Sequence, residues 1–417
     1  MTTLVTSPST SLREIDERLA TNYDLAIIGS GFSGLAAICK AVEQKLTFCH
    51  VTKGRGMSQH FSGAFDVIDP RWCDPFLKPA DYPSLANALN AFILGHPNHP
   101  YARIAKNYAD FSAVFLEEMA RFFSFYNIPV VGNFKDMVVA FGSTGMAKPT
   151  GCALKSQGLL ASQLRHPGKV LYLNFPGLVD YPTPTILNNL KQYFPDVSCV
   201  TYGSKELFEG FDQSSYLAYF NLRDHTRVLK EFIRQNKGDA SHVFLPPILG
   251  LDFYDEMHNE ITRDLDIDLV ELLSVLPSAS GLRFSQIMET FASQKMFPSY
   301  SGTMLPVSPE EHMIKNITVT MPDGTKKEIV AQVFILATGT ANSKITHIIP
   351  NSPLLKQDFM RQGFSVSYER GHKGEGHGII KDYNNLRACG TAIDGFDFTR
   401  DRCGFGVGLA SAFACFE

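Results

Sequence analysis

Hydrophobic and polar residues alternate along this chain in two rhythms, and the first to appear is that of a strand, a turn and a helix. The run from Asp24 to Ile28 is apolar and predicts a short strand. From Phe32 to Gln44, Leu35, Ile38, Cys39 and Val42 recur at helical spacing, and Leu46 to Val51 predicts a second strand. Between the first strand and the helix lies "GSGFSG", which places Gly29, Gly31 and Gly34 at the three positions of GxGxxG. In a βαβ unit these glycines have separate tasks: a tight turn, room for a phosphate against bare backbone, and close packing of helix on strand. A phosphate there would meet the N–H groups of Ser30 to Gly34 at the helix start.

From about residue 79 to 276 the pattern changes. "NYADFSAVFLEEMARFFSFY", "TPTILNNLKQYF" and "HTRVLKEFIRQN" predict helices, while "KVLYLNF", "SCVTYG" and "HVFLPP" predict buried strands between them. After Pro277 a helix is expected over "RFSQIMETFASQ", with Phe284, Ile287, Met288 and Phe291 as its core face. A hairpin follows at "MPDGT", then the apolar strand "AQVFILATGT". The expectation is an α/β protein: a Rossmann-like domain with a parallel sheet over residues 23–78 and 277–417, a second α/β domain inserted at 79–276, and a polar extension over 1–22.

Composition narrows the function. With 417 residues, 44% hydrophobic content and a net charge of -4, the chain reads as globular and lacks the basic balance of a nucleic-acid binder. Its eight cysteines form no CxxC pair, so a locally spaced zinc or iron–sulfur site is not expected. No apolar run approaches the roughly 18 residues of a spanning helix, and the polar start lacks a signal-peptide core. A cytoplasmic location is expected. No HExxH motif or local Ser/His/Asp order appears.

Further stretches sharpen the reading. "FILATGT", with Thr338 and Gly339, is similar to the second fingerprint of flavoproteins with two dinucleotide-binding domains. "RACGTAIDGFDFTRDRCGFGV", with Gly390, Gly404 and Gly406, is similar to their third. With "FSGAFDVID", "GMAKPT" and "LPSASGLR", the chain resembles the B subunit of the anaerobic glycerol-3-phosphate dehydrogenase. That resemblance implies a flavin, assigned as FMN with FAD as the alternative. It also implies a complex with an FAD-containing catalytic subunit and an iron–sulfur subunit that attaches to the membrane and reaches quinone. Two departures from the family stand out: Phe61 replaces a common serine, and the chain stops at Glu417, where the family's last helix continues.

The candidate residues follow. At the end of the second strand, where many dinucleotide folds place an acid for ribose hydroxyls, stands Thr52-Lys53. Lys53 can only donate, which suits a cofactor without an adenosine ribose, such as FMN, or one with extra phosphate, such as NADP; a solvated loop lysine is the plain alternative. The resemblance places Ser62, Gly63 and Asp66 against the flavin, with Asp66 equally readable as a cap. His60 is the candidate proton carrier. A small phosphorylated substrate needs cations, for which Lys148, Lys155, Arg283, Arg400 and Arg402 are candidates, Arg283 foremost. Rival readings are a nicotinamide-dependent oxidoreductase and a non-catalytic scaffold.

Overall fold

The computed structural model describes residues 23–54, 56–72, 74–295, 297–304, 313–339, 384–393 and 395–416. The extension over 1–22, Cys73 and Thr340 lie outside the described residues. The chain divides into two compact units, one from residues up to Gly56, 296–394 and 411–417, the other from 57–295 and 395–410. The boundaries expected after residues 78 and 276 both fall inside the second unit.

In the first unit, strand β1 (Tyr23–Ile28) lies between β2 (Phe48–Thr52) and the long strand Lys326–Leu336, all parallel. Ser299–Ser301 extends the parallel sheet beyond β2, and Leu386–Ala388 pairs in parallel with the end of Lys326–Leu336. That long strand serves two sheets. Its first half pairs antiparallel with Asn316–Thr320 across the expected hairpin, and its second half pairs with β1. The Asp-Gly turn closes as its chemistry requires: Gly324 has φ +84°, and Asp323 accepts from the backbone and hydroxyl of Thr325.

Helix α1 (Phe32–Glu43) follows the glycine loop. Its alanines and glycine let it sit deep: Gly34, Leu35, Ala36, Ala37, Ile38, Cys39 and Ala41 are buried, whereas Val42, expected on the core face, is 40% exposed.

The second unit has a parallel four-stranded sheet in the order Val197–Thr201, Val170–Asn174, His242–Leu245, Asp268–Glu271. Two small antiparallel sheets join it, one built on Cys152–Leu154 and one on Val138–Phe141. The two inner strands, Val170–Asn174 and His242–Leu245, are buried as expected, and the edge strand Asp268–Glu271 is buried too, but Val197–Thr201 is not. It is one of the two edges of the sheet, and unlike the other edge, Asp268–Glu271, its side chains are largely left to solvent. In the helix Ala279–Lys295, Phe284 and Phe291 are buried, while Ile287 and Met288 are only half-buried. Arg283 takes the core position instead.

Among the described residues no helix is long and apolar enough to cross a membrane, and no group of three or more His, Cys, Asp or Glu is placed to hold a metal.

Candidate functional site

The glycine loop of the first unit assigns each glycine by what surrounds it. Gly29 has φ +126°, and a Cβ there would lie 2.2 Å from the Ala337 carbonyl oxygen, so the turn runs against the end of the neighbouring strand. A Cβ on Gly34 would lie 2.0 Å from the Gly29 carbonyl oxygen, which is the close packing of helix on strand. Gly31 is the reverse case: among the described residues nothing lies within 4 Å of where its Cβ would be. It is the N-cap of α1, no side chain caps the helix there, and the first turn, with Phe32 and Ser33, carries no acid. The first turn of this twelve-residue helix therefore carries its positive end with no acid of its own competing for it.

The loop is braced from β2. Ser30 donates to the Gly54 carbonyl at 2.6 Å and Thr52 donates to the same oxygen at 2.7 Å, so both hydroxyls hold the loop rather than face outward. Lys53 beside them is exposed. His50, buried in β2, lies with Nε2 3.0 Å from the Gly29 carbonyl and Nδ1 3.4 Å from the Ser299 hydroxyl. Burial pushes its pKa down, against the opposing pull of the Gly29 contact, so the ring is neutral and Nε2 donates to the turn. Sequence reading passed over His50; the signal was a polar residue in the apolar run "FCHVT".

At the end of the strand Lys326–Leu336, the Thr338 hydroxyl is buried with no partner among the described residues. Gly339 follows at φ +74°, its nearest neighbour being the Thr391 hydroxyl, and Gly390 donates its N–H to Ser411 at 2.8 Å. An orphaned buried hydroxyl, an uncapped helix and the cradle at Gly31 fit the phosphate-bearing end of a nucleotide or flavin.

In the second unit the candidate residues are more enclosed. The backbone at Ser62–Gly63 is locked in place. The Ser62 carbonyl accepts from Ser274 N–H at 2.9 Å and from the Ser280 hydroxyl at 3.2 Å. A Cβ on Gly63 would lie 1.8 Å from Gln157 Oε1. Phe61 does not leave a gap where a serine is common: it is buried against Phe65 at 4.4 Å and Phe284 at 5.9 Å. His60 is exposed, 3.2 Å from Gln59 Nε2.

Arg283 sits where a substrate-facing arginine is not expected. It is 0% exposed, with Nη1 and Nη2 on Glu271 at 2.5 and 3.0 Å, Nε on the Gly250 carbonyl at 2.8 Å, and its guanidinium over the Tyr254 ring. Glu271 is also fully buried and accepts from Ser156 and from Leu249 N–H. Burial pushes the Glu271 carboxyl up, but Arg283 and these donors outweigh it and hold it below the usual range. All the polar atoms of the Arg283 head are thereby engaged with protein, which makes it a buried brace. Glu271 stands in a short strand that also carries Asp268, so no local signal singles it out as the partner of Arg283.

Gly406 is also committed to packing. Its Cβ would lie 1.9 Å from the Tyr101 hydroxyl, which donates to Val67 O, while its N–H donates to Asp66 O. The helix begins at Gly404. Of the remaining cations, Lys155 lies 4.0 Å from Asp255 and Arg400 pairs with Asp401. Lys148 and Arg402 reach the carboxylates of "GAFDVID": Lys148 Nζ is 2.7 Å from Asp66 and Arg402 Nη1 is 3.1 Å from Asp69. Burial raises the Asp66 pKa against the pull of Lys148, Thr150 and Arg402.

No protein-family model matches the chain. Among solved structures it is similar to Mycobacterium smegmatis Sdh1 in complex with UQ1 (TM-score 0.31, 12% identity, 76% of this chain and 34% of that one). It is also similar to a 3-ketosteroid delta1-dehydrogenase from Sterolibacterium denitrificans (TM-score 0.32, 13% identity, 76% and 48%). The chain thus spans about a third and about half of those two proteins. Curated proteins named as the B subunit of anaerobic glycerol-3-phosphate dehydrogenase match it over nearly its whole length. That of Mannheimia succiniciproducens is 22% identical over 94% of this chain and 96% of its own length. That of Histophilus somni strain 2336 is 23% identical over 94% and 97%, and that of Pasteurella multocida is 22% identical over 95% and 98%. The chain is a distant relative, along nearly its whole length, of proteins that carry the name of the anaerobic glycerol-3-phosphate dehydrogenase B subunit.

Proposed function

We propose that the chain is the flavin-binding subunit of an anaerobic glycerol-3-phosphate:quinone oxidoreductase, working beside an FAD-containing catalytic subunit and an iron–sulfur subunit at the membrane. Glycerol 3-phosphate becomes dihydroxyacetone phosphate in that complex with release of two electrons and two protons. The observation that carries the reading is the open face of Gly31 at an uncapped helix start, in a chain similar throughout to proteins of that name.

The residues divide the work. Gly31 leaves room for the phosphate, and the first turn of α1, Phe32 to Gly34, offers N–H groups to it. His50, Ser30 and Thr52 fix the turn's shape through the Gly29 and Gly54 carbonyls. Lys53 adds a cation and no acceptor, which favours FMN over FAD. Thr338 and Gly339, with Gly390, form the second edge of the cofactor site, and the Thr338 hydroxyl has capacity for a partner. Ser62 and Gly63 supply a rigid backbone, and exposed His60 carries a proton. A bound flavin supplies reversible acceptance of one or two electrons, which the protein orients and tunes. Substrate oxidation belongs to the partner subunit, and this chain relays. The cytoplasmic face of the membrane is the expected location, reached through a partner.

Lys53 also favours a second reading, a soluble enzyme using a phosphorylated nicotinamide dinucleotide. Purified protein separates the two. Flavin absorption bands, followed by heat release and chromatography that identify FMN, support the first reading; a colourless protein that binds NADPH supports the second. Lys53→Glu should then move relative affinity toward FAD, because a carboxylate can accept from two ribose hydroxyls at about 1–3 kcal/mol each. Release of FAD from the native protein would remove Lys53 as a guide to cofactor identity.

A further inference from the structure

The parallel sheet of the second unit is wound in both directions from one strand, and its two ends differ. Val170–Asn174 stands between Val197–Thr201 and His242–Leu245, so the chain leaves it first to one side and then crosses to the other. In sheets wound this way small ligands settle beyond the carboxyl ends of the strands, where the winding reverses. Here that place is filled. Helix Gln213–Tyr219 lies across it, with Gln213 Nε2 donating to the Pro247 carbonyl at 3.3 Å and the Tyr216 hydroxyl donating to the Pro176 carbonyl at 2.8 Å. Tyr216 and Phe220 are fully buried, and a Cβ on Gly177 would lie 2.3 Å from the Phe211 carbonyl oxygen. The carboxyl end is a capped surface rather than a crevice.

That surface is both apolar and acidic. Val179, Leu207 and Leu276 lie in the turns that follow three of the strands, Leu222 opens the helix Arg223–Asn236 that runs back along the sheet, and all four are between 57% and 85% exposed. Half-buried Phe211, Tyr219 and Phe253 come from the same end. The turns that lead into the four strands, at the opposite end, carry no exposed large hydrophobic side chain among the described residues, and Lys169 there pairs with both Asp239 and Asp196. At the carboxyl end Arg223 and Asp224 are paired, with Glu256 and Arg227. Asp180, Glu206, Glu209, Asp212 and Asp252 are exposed and make no ion pair among the described residues, against one unpaired ammonium, that of Lys205.

We propose that the carboxyl end of this sheet is the surface by which the chain docks on a different protein subunit, one whose facing surface is apolar at its centre and basic at its rim. The inference rests on the multi-subunit reading above and gives it a place on this chain. Single exposed hydrophobic residues are ordinary, but several gathered at one end of a sheet and none at the other mark a surface that another molecule covers. The half-buried aromatic rings supply the rigid contact area found in interface cores. The surplus acid selects the partner. Two copies of this chain joined through this end would set the five unpaired carboxylates against five more, and an anionic lipid surface would be repelled in the same way. A protein with Lys and Arg around an apolar centre pairs with those acids and is steered toward them at low salt.

The test isolates the tagged full-length chain from its own cells with the subunits that hold to it in fixed stoichiometry, which mass spectrometry identifies. A zero-length carbodiimide, which joins carboxylates to amines, should link Glu206, Glu209 or Asp252 to lysines of the bound subunit. Val179→Asp and Leu207→Asp should each weaken association about tenfold or more. Glu206→Lys together with Glu209→Lys should weaken it and flatten its dependence on salt. Leu94→Asp, at an 84% exposed position elsewhere in the same unit, should change nothing. Circular dichroism confirms that each variant is folded. Wild-type association in folded Val179→Asp and Leu207→Asp, cross-links confined to other faces, or a dimer of this chain joined through this end overturns the proposal. A subunit of the expected complex bound by another face leaves the function proposed above standing, and a subunit bound here that carries neither FAD nor an iron–sulfur cluster supports the surface and removes that function. A chain that holds no subunit overturns both.

Discussion

Two glycine-rich turns open two helices in this molecule, and they read alike in sequence yet are built for opposite ends. At Gly31 an added Cβ meets nothing within 4 Å among the described residues; at Gly406 it meets the Tyr101 hydroxyl at 1.9 Å. The first turn keeps its space for something outside the chain, and the second has filled its space with a buried tyrosine. A glycine in such a motif reports that something comes close to the backbone. Only the neighbours say whether that something is a ligand or the protein itself. The same division runs through the other candidates. In the first unit Gly31 and Lys53 face outward, whereas in the second Gly63 packs on Gln157 and Arg283 is closed over Glu271.

The hardest blow to this contrast would come through Arg283. If it is a brace, Arg283→Met leaves the Glu271 carboxylate buried without its cation, at a cost of about 3–5 kcal/mol in urea unfolding. The pair Arg283→Met with Glu271→Leu should recover much of that loss. Wild-type stability in the single variant, with lost turnover in the complex, would return Arg283 to the substrate.

Acid provides the next test. His99 caps Tyr101 N–H through Nδ1 and lies 3.6 Å from Cys403 Sγ through Nε2, next to the filled turn. Burial holds its pKa down to about 4, with Asp401 opposing and His96, Arg103 and Arg400 adding to the depression. The unfolded ring titrates near 6.5, so the unfolded chain binds a proton first as pH falls. Stability contributed by the neutral ring is complete above that pH and is lost between about 6.5 and 4, about 3 kcal/mol in all. His99→Gln should flatten that part of the stability–pH curve; an unchanged slope would put the acid sensitivity elsewhere.

A smaller loss is expected at the filled turn. Gly406→Ala forces a methyl into the Tyr101 hydroxyl and should cost about 1–3 kcal/mol by thermal or urea unfolding. Tyr101→Phe alone forfeits the bond to Val67, but in the double variant the two losses should add to less than their sum, because removing the hydroxyl makes room. Full additivity would mean that the clash is not with that oxygen.

Much of the first unit could be read directly from the chain. The strand, glycine loop, helix and second strand each have a local signature, and Phe32–Glu43 differs from the expected helix by a single residue at its end. The hairpin at Pro322-Asp323-Gly324 was equally local. What could not be read depended on partners far along the sequence. Nothing near Arg283 announces that Glu271 waits opposite, and nothing near Gly406 announces Tyr101. The exposure of Val197–Thr201, one of two sheet edges of which the other is buried, depends on what covers the strand, which a run of apolar letters does not encode. The convergence of Asp66, Lys148 and Arg402 belongs to the same class: the segments were singled out one by one, and only the fold brings their charges together.

The smallest effect on stability should accompany the clearest effect on cofactor, and it falls on Gly31. Its backbone, at φ -77° and ψ -178°, is one that any residue adopts, so valine brings no strain. Among the described residues no atom lies within 4 Å of the new Cβ, so Gly31→Val should unfold within about 0.5 kcal/mol of wild type. The space that makes the change harmless to the fold is the space a phosphate needs to reach the N–H groups of the first turn. Flavin retained through purification should therefore fall at least tenfold, with Gly31→Ala in between, since a single methyl obstructs less than a branched side chain. A stable Gly31→Val protein that still carries its full complement of flavin would show that the open face of this loop is not where the cofactor's phosphate lies, and the contrast between the two turns would lose its functional half.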